Sequence, residues 1–236
     1  EFDYLSIVGD RRGIWIVSCL KNAATIQPRL QCGEPVSVGG RRSDTGTEGL
    51  QTEKRRKPEM IYISEYTSPL GGILLAADEI GMRGLWFDGQ KYFARDLPNE
   101  RTEMETPVLL DAKRWLDLYF VGKEPDFLPP LHPVGSPFRQ EVWKILLQIP
   151  YGKTVTYGDI SKQLAKKMGL EKMSAQAVGG AVGHNEISII IPCHRVVGTN
   201  GSLTGYAGGM DKKVKLLELE HADMSGMFVP KKGMAL

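Results

Sequence analysis

The sequence predicts an α+β protein: a small α/β domain followed by a helix-turn-helix domain. Two patterns carry that expectation. From Met60 onward, three short runs rich in β-branched and aromatic residues precede one amphipathic helical segment. From Ser136 onward, helical segments follow one another with short breaks, the outline of a helix-turn-helix. A stretch with four prolines separates the two halves.

The first half reads as follows. Ile61–Tyr66 is a strand, Ser68-Pro69-Leu70-Gly71-Gly72 a turn, and Ile73–Ala77 a second strand. Met82–Phe87 makes a third, ended by Asp88-Gly89, so a mainly antiparallel sheet is expected. Thr106–Val121 spaces Val108, Leu109, Ala112, Leu116 and Phe120 as a helix does. No catalytic constellation stands out here, and the segment reads as a scaffold. Pro125, Pro129, Pro130 and Pro133 give residues 124–135 the composition of a stiff, extended linker.

In the second half, Ser136-Pro137 is a helix start, with a hydroxyl cap and proline in the first turn. The helix should reach about Gln148, burying Phe138, Val142, Ile145, Leu146 and Ile149. Pro150-Tyr151-Gly152 breaks it. A second helix is expected over about Tyr157–Met168 and a third over about Ser174–Val182. The third contains Gly179-Gly180, although glycine disfavours helix by about 1 kcal/mol relative to alanine. Either a ligand or backbone approaches closely there, or the helix packs tightly on its neighbours. Asp211 is expected to cap a last helix carrying Val214, Leu216, Leu217 and Leu219. Glu220 near its end is a surface carboxylate unless it turns inward toward an imidazole.

Bulk properties narrow the classes. At 236 residues and 42% apolar, the chain can build one large or two small cores. No run of about 18 apolar residues implies a membrane span, and no convincing secretory signal precedes the folded part. Three cysteines, Cys19, Cys32 and Cys193, form no disulfide framework or zinc-ligand pattern and suit a reducing cytoplasm. Residues 60–135 carry 7 basic against 12 acidic side chains; residues 136–236 carry 13 against 8. Among the segments expected to fold, the C-terminal one is therefore the candidate polyanion binder, with a salt-sensitive hold. Residues 1–59, with the clusters Arg41-Arg42 and Lys54-Arg55-Arg56-Lys57, read as a disordered or non-native extension without a catalytic role. A basic tail aiding DNA or partner contact is the alternative.

The chemistry gathers in Ser188-Ile-Ile-Ile-Pro-Cys-His-Arg-Val-Val-Gly198. Ile189–Ile191 read as a short buried strand that Pro192 ends. Cys193 then sits beside an imidazole and a guanidinium, groups that favour thiolate over thiol. A small buried cysteine beside two surface polar residues is the bland alternative.

Pro192-Cys193-His194-Arg195-Val196 resembles the signature of the O6-alkylguanine-DNA alkyltransferases, the methylated-DNA–protein-cysteine methyltransferases. The resemblance runs from about Met60, where family members commonly start, to the C-terminus. It is dense from Ser136 to Glu220. It implies a ribonuclease H-like scaffold domain over 60–123, a winged-helix-like alkyl-acceptor domain over 136–224 and a tail over 225–236. It implies one-time transfer of an alkyl group from O6-alkylguanine in double-stranded DNA, with O4-alkylthymine a second candidate lesion. The acceptor would be Cys193, with His194 as base through a water and Glu220 orienting the imidazole. The family asparagine at Asn185 bonds near the cysteine, although a turn or cap role fits its position equally. Tyr206 would bond the flipped guanine, and the backbone around Ala207, with Val196, would line the alkyl pocket. The Ala/Gly helix would enter the minor groove through Gln176, Ala177, Gly179 and Gly180, with Tyr157 pressing on a phosphate. Gln176 stands where relatives often carry an arginine finger. Glu186 replaces a common proline, which should add negative charge near DNA and loosen the turn. No cofactor and no metal are implied, and the protein is expected to act as a cytoplasmic monomer. A non-catalytic alkylated-DNA-binding relative, a cysteine hydrolase and a transcriptional regulator are the competing readings.

Overall fold

A computed structural model describes residues 60–230 throughout, together with the backbone of two strands upstream. These are β1 (Ile7–Gly9) and β2 (Trp15–Val17), which pair antiparallel. The expectation of an unstructured extension over 1–59 otherwise lies outside the described residues.

The α+β class holds. Strands β3 (Tyr62–Ser68), β4 (Gly71–Ala77) and β5 (Met82–Phe87) form an antiparallel meander. The two-residue β6 (Thr102–Glu103) adds in parallel beside β3, giving the order β5-β4-β3-β6. Helix α1 (Pro107–Phe120) packs against this sheet; its cap, Thr106, accepts a hydrogen bond from the Leu109 amide. Its buried stripe is Leu109, Ala112, Trp115, Leu116 and Tyr119. Val108 and Phe120, expected on that stripe, lie at its margin, and Tyr119 takes the inward place.

The linker over 124–135 is extended but docked. The Met82 amide donates to Pro130 O at 2.7 Å, and the His132 amide donates to Met82 O at 2.8 Å. The segment thus runs beside β5 as a further, short strand-like edge. His132 also binds Asp78, which Arg83 holds at 3.0 Å.

Helices α2 (Pro137–Leu146), α3 (Tyr157–Lys167) and α4 (Ala175–Gly183) follow, capped by Ser136, Thr156 and Ser174. α4 lies against both α2 and α3, and Trp143 Nε1 donates to Ala181 O at 3.0 Å. A short parallel ladder joins β7 (Val155–Thr156) to β8 (Val196–Val197), and α5 (Met210–Leu219) closes the domain. Asp211 does not cap α5. Gly209 takes the cap position at φ +95°, a conformation open to glycine, and Asp211 sits in the first turn, where a carboxylate favours the helix dipole.

The expected strand at Ile189–Ile191 is a turn. Only Ile187 bridges to the sheet, beside Leu85, and the chain then coils through bonds from Ile190 N to Ser188 O and Ile191 N to Ile187 O. All four isoleucines are buried. Their branched side chains fill the core, and among the described residues no strand pairs with Ile189–Ile191. Ile189 adopts φ +66°, an outlier for a β-branched residue. The apolar core runs through both halves of the chain, from Ile73, Leu85 and Leu116 to Val142, Leu164 and Ile189.

Candidate active site

The turn over 187–192 delivers Cys193 into a buried 3₁₀ turn, Cys193–Arg195, that packs against α5. Asn185, just past α4, staples this turn. Its Nδ2 donates to Ile191 O at 2.8 Å and to Cys193 Sγ at 3.1 Å, and its Oδ1 accepts from the Ile187 amide at 3.1 Å. One side chain therefore ties the end of α4 to the thiol.

His194 is fully buried. Its Nε2 meets Glu220 Oε1 at 2.7 Å, while Nδ1 has no hydrogen-bond partner within the protein. Glu220, at the C-terminal cap of α5, also receives Arg195 Nε at 2.8 Å, Arg195 Nη2 at 3.0 Å, the Gly152 amide at 3.1 Å and Tyr119 Oη at 2.7 Å. Gly152 must be glycine for this approach: a Cβ there would stand 2.6 Å from Glu220 O. Burial works against charge on Glu220. The hydrogen bonds and charges of His194 and Arg195 outweigh it and hold the carboxyl down at about 2. Burial pushes the His194 imidazole below its ordinary value, against the opposing pull of Glu220. The pair is a neutral imidazole on an ionised carboxylate, whose two oxygens also receive the Arg195 guanidinium. A carboxylate only accepts, so Nε2 carries the proton and Nδ1 the lone pair.

Arg195 does not favour the thiolate. Its guanidinium turns away to Glu220 and to Ile149 O at 2.6 Å. The Cys193 thiol is pushed up by burial, against which the Asn185 hydrogen bond and the Lys213 charge pull. Lys213, fully buried, donates to Val196 O at 2.6 Å and to Thr204 O at 2.9 Å. Burial lowers its ammonium to about 8, with Cys193 opposing. Sequence reading missed Lys213 and Tyr119. The signal for Lys213 was its place three and four residues before Leu216 and Leu217, on the buried face of α5. For Tyr119 it was the 112–115–116–119 spacing.

Tyr206 is buried, and its hydroxyl has no hydrogen-bond partner within the protein; burial holds its proton well above the ordinary range, with Cys193 adding to the rise and Ser188 opposing it. Gly208 makes room for it, since a Cβ there would lie 2.7 Å from the Tyr206 ring. Val196 is buried and Ala207 half-buried, its carbonyl accepting from the Lys91 amide at 3.0 Å. The Tyr157 hydroxyl is engaged inward, on Thr204 O at 3.1 Å and Gly205 O at 3.4 Å.

On α4, Gln176, Ala177 and Gly180 are exposed, and a Cβ at Gly180 would meet nothing within 4 Å. Gly179 is buried, so its small size serves the packing of α4 rather than an open surface. Glu186 also departs from expectation. It is buried, with Trp86 Nε1 donating to its Oε2 at 2.8 Å and the Leu85 amide donating to its carbonyl at 2.8 Å. The residue fastens the turn to β5 and adds no charge toward solvent. Beside it, Tyr92 stacks on His184 with ring centroids 4.4 Å apart.

Comparison with known proteins gives this arrangement a lineage. Residues 61–133 match the family described as the ribonuclease-like domain of 6-O-methylguanine DNA methyltransferase, and residues 137–222 match its DNA binding domain. The methylated-DNA–protein-cysteine methyltransferase of Methanosarcina acetivorans is 45% identical over 161 residues, covering 68% of this chain and 98% of the relative. That of Mycobacterium leprae is 39% identical over 164 residues, covering 68% and 93%. The crystal structure of Mycobacterium tuberculosis O6-methylguanine methyltransferase superposes with a TM-score of 0.59 at 39% identity, covering 73% of this chain and 97% of that one. A Mycobacterium tuberculosis structure in complex with DNA gives 0.58 at 37% identity, covering 71% and 98%. With both of its halves matched and nearly the whole length of these relatives spanned, this chain belongs to the methylated-DNA–protein-cysteine methyltransferase family.

Proposed function

We propose that this protein repairs DNA directly, moving the alkyl group of O6-alkylguanine onto Cys193 in a single irreversible turnover. The observation that carries the reading is the Asn185–Cys193 contact at 3.1 Å beside the His194–Glu220 pair at 2.7 Å, at the end of a helix with an exposed small-residue face.

The thiol is buried and protonated at rest, so ionisation is tied to substrate engagement. His194 Nδ1, bearing the lone pair, takes the thiol proton through a water, and Glu220 steadies the imidazolium that forms. The sulfur attacks the alkyl carbon. The S–C bond forms as the C–O6 bond breaks, the electron pair goes to O6, and the thiol proton ends on the guanine. Lys213 and Asn185 favour the transient thiolate. Tyr206 offers its hydroxyl proton to the everted base, and Val196 with the Ala207 backbone borders the alkyl group. Everting the base costs a few kcal/mol; Gln176, Ala177 and Gly180 enter the minor groove, and Tyr157 presses on the neighbouring phosphate once its hydroxyl leaves Thr204 O and Gly205 O. A thioether does not leave under these conditions, so no turnover follows.

The parts divide as a scaffold over 60–123, a docked linker over 124–135 and an acceptor domain over 136–224. Among the described residues no helix is long and apolar enough to cross a membrane. We place the protein in the cytoplasm, a reading supported by its sparse cysteines, and take it to act as a monomer. The test is incubation with DNA carrying labelled O6-methylguanine. One label per protein is expected on the Cys193 peptide, and none on Cys193→Ala. Repeated turnover, or labelling of the variant, refutes the proposal.

A further inference from the structure

Glu220 collects donors from Arg195, His194 and Gly152, all in the C-terminal half. Among the described donors to it, one comes from elsewhere. Tyr119, on the last turn of α1, crosses the domain boundary and places Oη 2.7 Å from Glu220 Oε1 and 3.4 Å from His194 Nε2. We propose that Tyr119 is a positioning residue for the acceptor chemistry, through which the N-terminal half sets the proton arrangement of His194. The inference rests on the proposed alkyl transfer to Cys193.

A phenol has one proton and two lone pairs. Tyr119 spends the proton on Glu220 Oε1, so its lone pairs are left to face the Nε2 side of His194. Glu220 already requires a hydrogen on that side, and the Tyr119 lone pairs 3.4 Å away reinforce the same tautomer, which leaves Nδ1 unprotonated for the thiol proton. Tyr119 keeps its proton, because burial raises it well above its ordinary value and the Glu220 charge adds to this. The hydroxyl also occupies an Oε1 lone pair, which lowers the basicity of Glu220 and keeps the imidazole neutral at rest. The ring is held in place independently, stacked on Trp115 at 5.2 Å and edge-on to Tyr151 at 6.0 Å and Phe120 at 5.5 Å. The other groups facing the His194–Glu220 pair are Arg195 on the same turn, Lys213 on α5, Tyr151 before α3, and Cys193 and Tyr206.

Tyr119→Phe keeps the ring and removes the oxygen. Without that donor Glu220 pulls harder on the imidazole, and His194 protonates at higher pH. The acid limb of Cys193 alkylation should move up in pH, read both with O6-methylguanine DNA and with iodoacetamide. Single-turnover transfer at neutral pH should fall roughly three- to tenfold, the factor one net hydrogen bond carries, with DNA affinity unchanged. A purely structural tyrosine would lower the melting temperature and leave the pH profile in place; that result overturns the inference. Should wild type take no label from DNA, the alkyl-transfer reading fails, while the iodoacetamide profile still judges Tyr119. Should Tyr119→Phe not fold, NMR of the intact protein decides. A Tyr119 hydroxyl proton protected from exchange and close to the His194 ring supports the inference, and one exchanging at the solvent rate overturns it.

Discussion

Glu186 shows how far a single side chain can depart from its sequence context. At a position where relatives often carry proline, a carboxylate suggests charge near DNA; the fold instead buries it against Trp86. Burial is the largest influence and raises its carboxyl to about 7, against the Trp86 hydrogen bond, with Asp96 adding to the rise and Arg139 and Arg95 opposing it. A carboxyl raised from 4.5 to about 7 on folding keeps a proton that the unfolded chain releases. Stability therefore falls as pH rises through that window and stays lower above it, by about 3 kcal/mol at most. Glu186→Gln retains an acceptor for Trp86 and removes the titration. It should melt higher than wild type at pH 8 and no higher at pH 5; an equal shift at both would rule the account out. The partner of Glu186 lies 100 residues away in sequence, so nothing local announces this behaviour. Cys193 and His194 were legible because they are adjacent in one five-residue motif, and Asn185 because it stands within ten positions of them. Ile189 was not: its branched side chain speaks for a strand, while long-range packing holds it at φ +66°, a conformation costing on the order of 1–3 kcal/mol.

At the scale of elements, helices α1, α2 and α4 were readable because their signals are local: Thr106-Pro107, Ser136-Pro137 and Ser174 supply caps within one turn. Their facing was less so, since the stripe on α1 is displaced toward Tyr119. The outward face of α4 carries the DNA argument. Gln176 stands there exposed, next to Ala177 and in line with Gly180, while Gly179 turns inward. A neutral amide at this point adds no counterion release on binding. Gln176→Arg should tighten DNA binding at low salt and steepen the dependence of log affinity on log salt by up to about one unit, as one added phosphate contact would. An unchanged slope would mean that position 176 does not reach the duplex.

The whole molecule was expected as two domains on a stiff linker, yet its parts share one interior. Leu85, Phe87 and Leu116 from the first half belong to the same buried cluster as Val142, Leu164 and Ile191 from the second. The linker is bonded to Met82, the Leu85 amide to Glu186, the Lys91 amide to Ala207, and Tyr119 to Glu220. Separating the halves would expose the core face of β5 to water and strip polar groups of their partners, a cost to be set against the roughly 5–15 kcal/mol by which a domain is stable. The shared cluster therefore couples the melting of the two halves. Denaturant unfolding should proceed as one transition, with indole fluorescence, far-ultraviolet dichroism and Cys193 alkylation following the same curve. Exposure of Cys193 at a lower denaturant concentration than the loss of the helical signal would show instead that the acceptor domain opens on its own, and would remove the shared core as the reason the N-terminal half is retained.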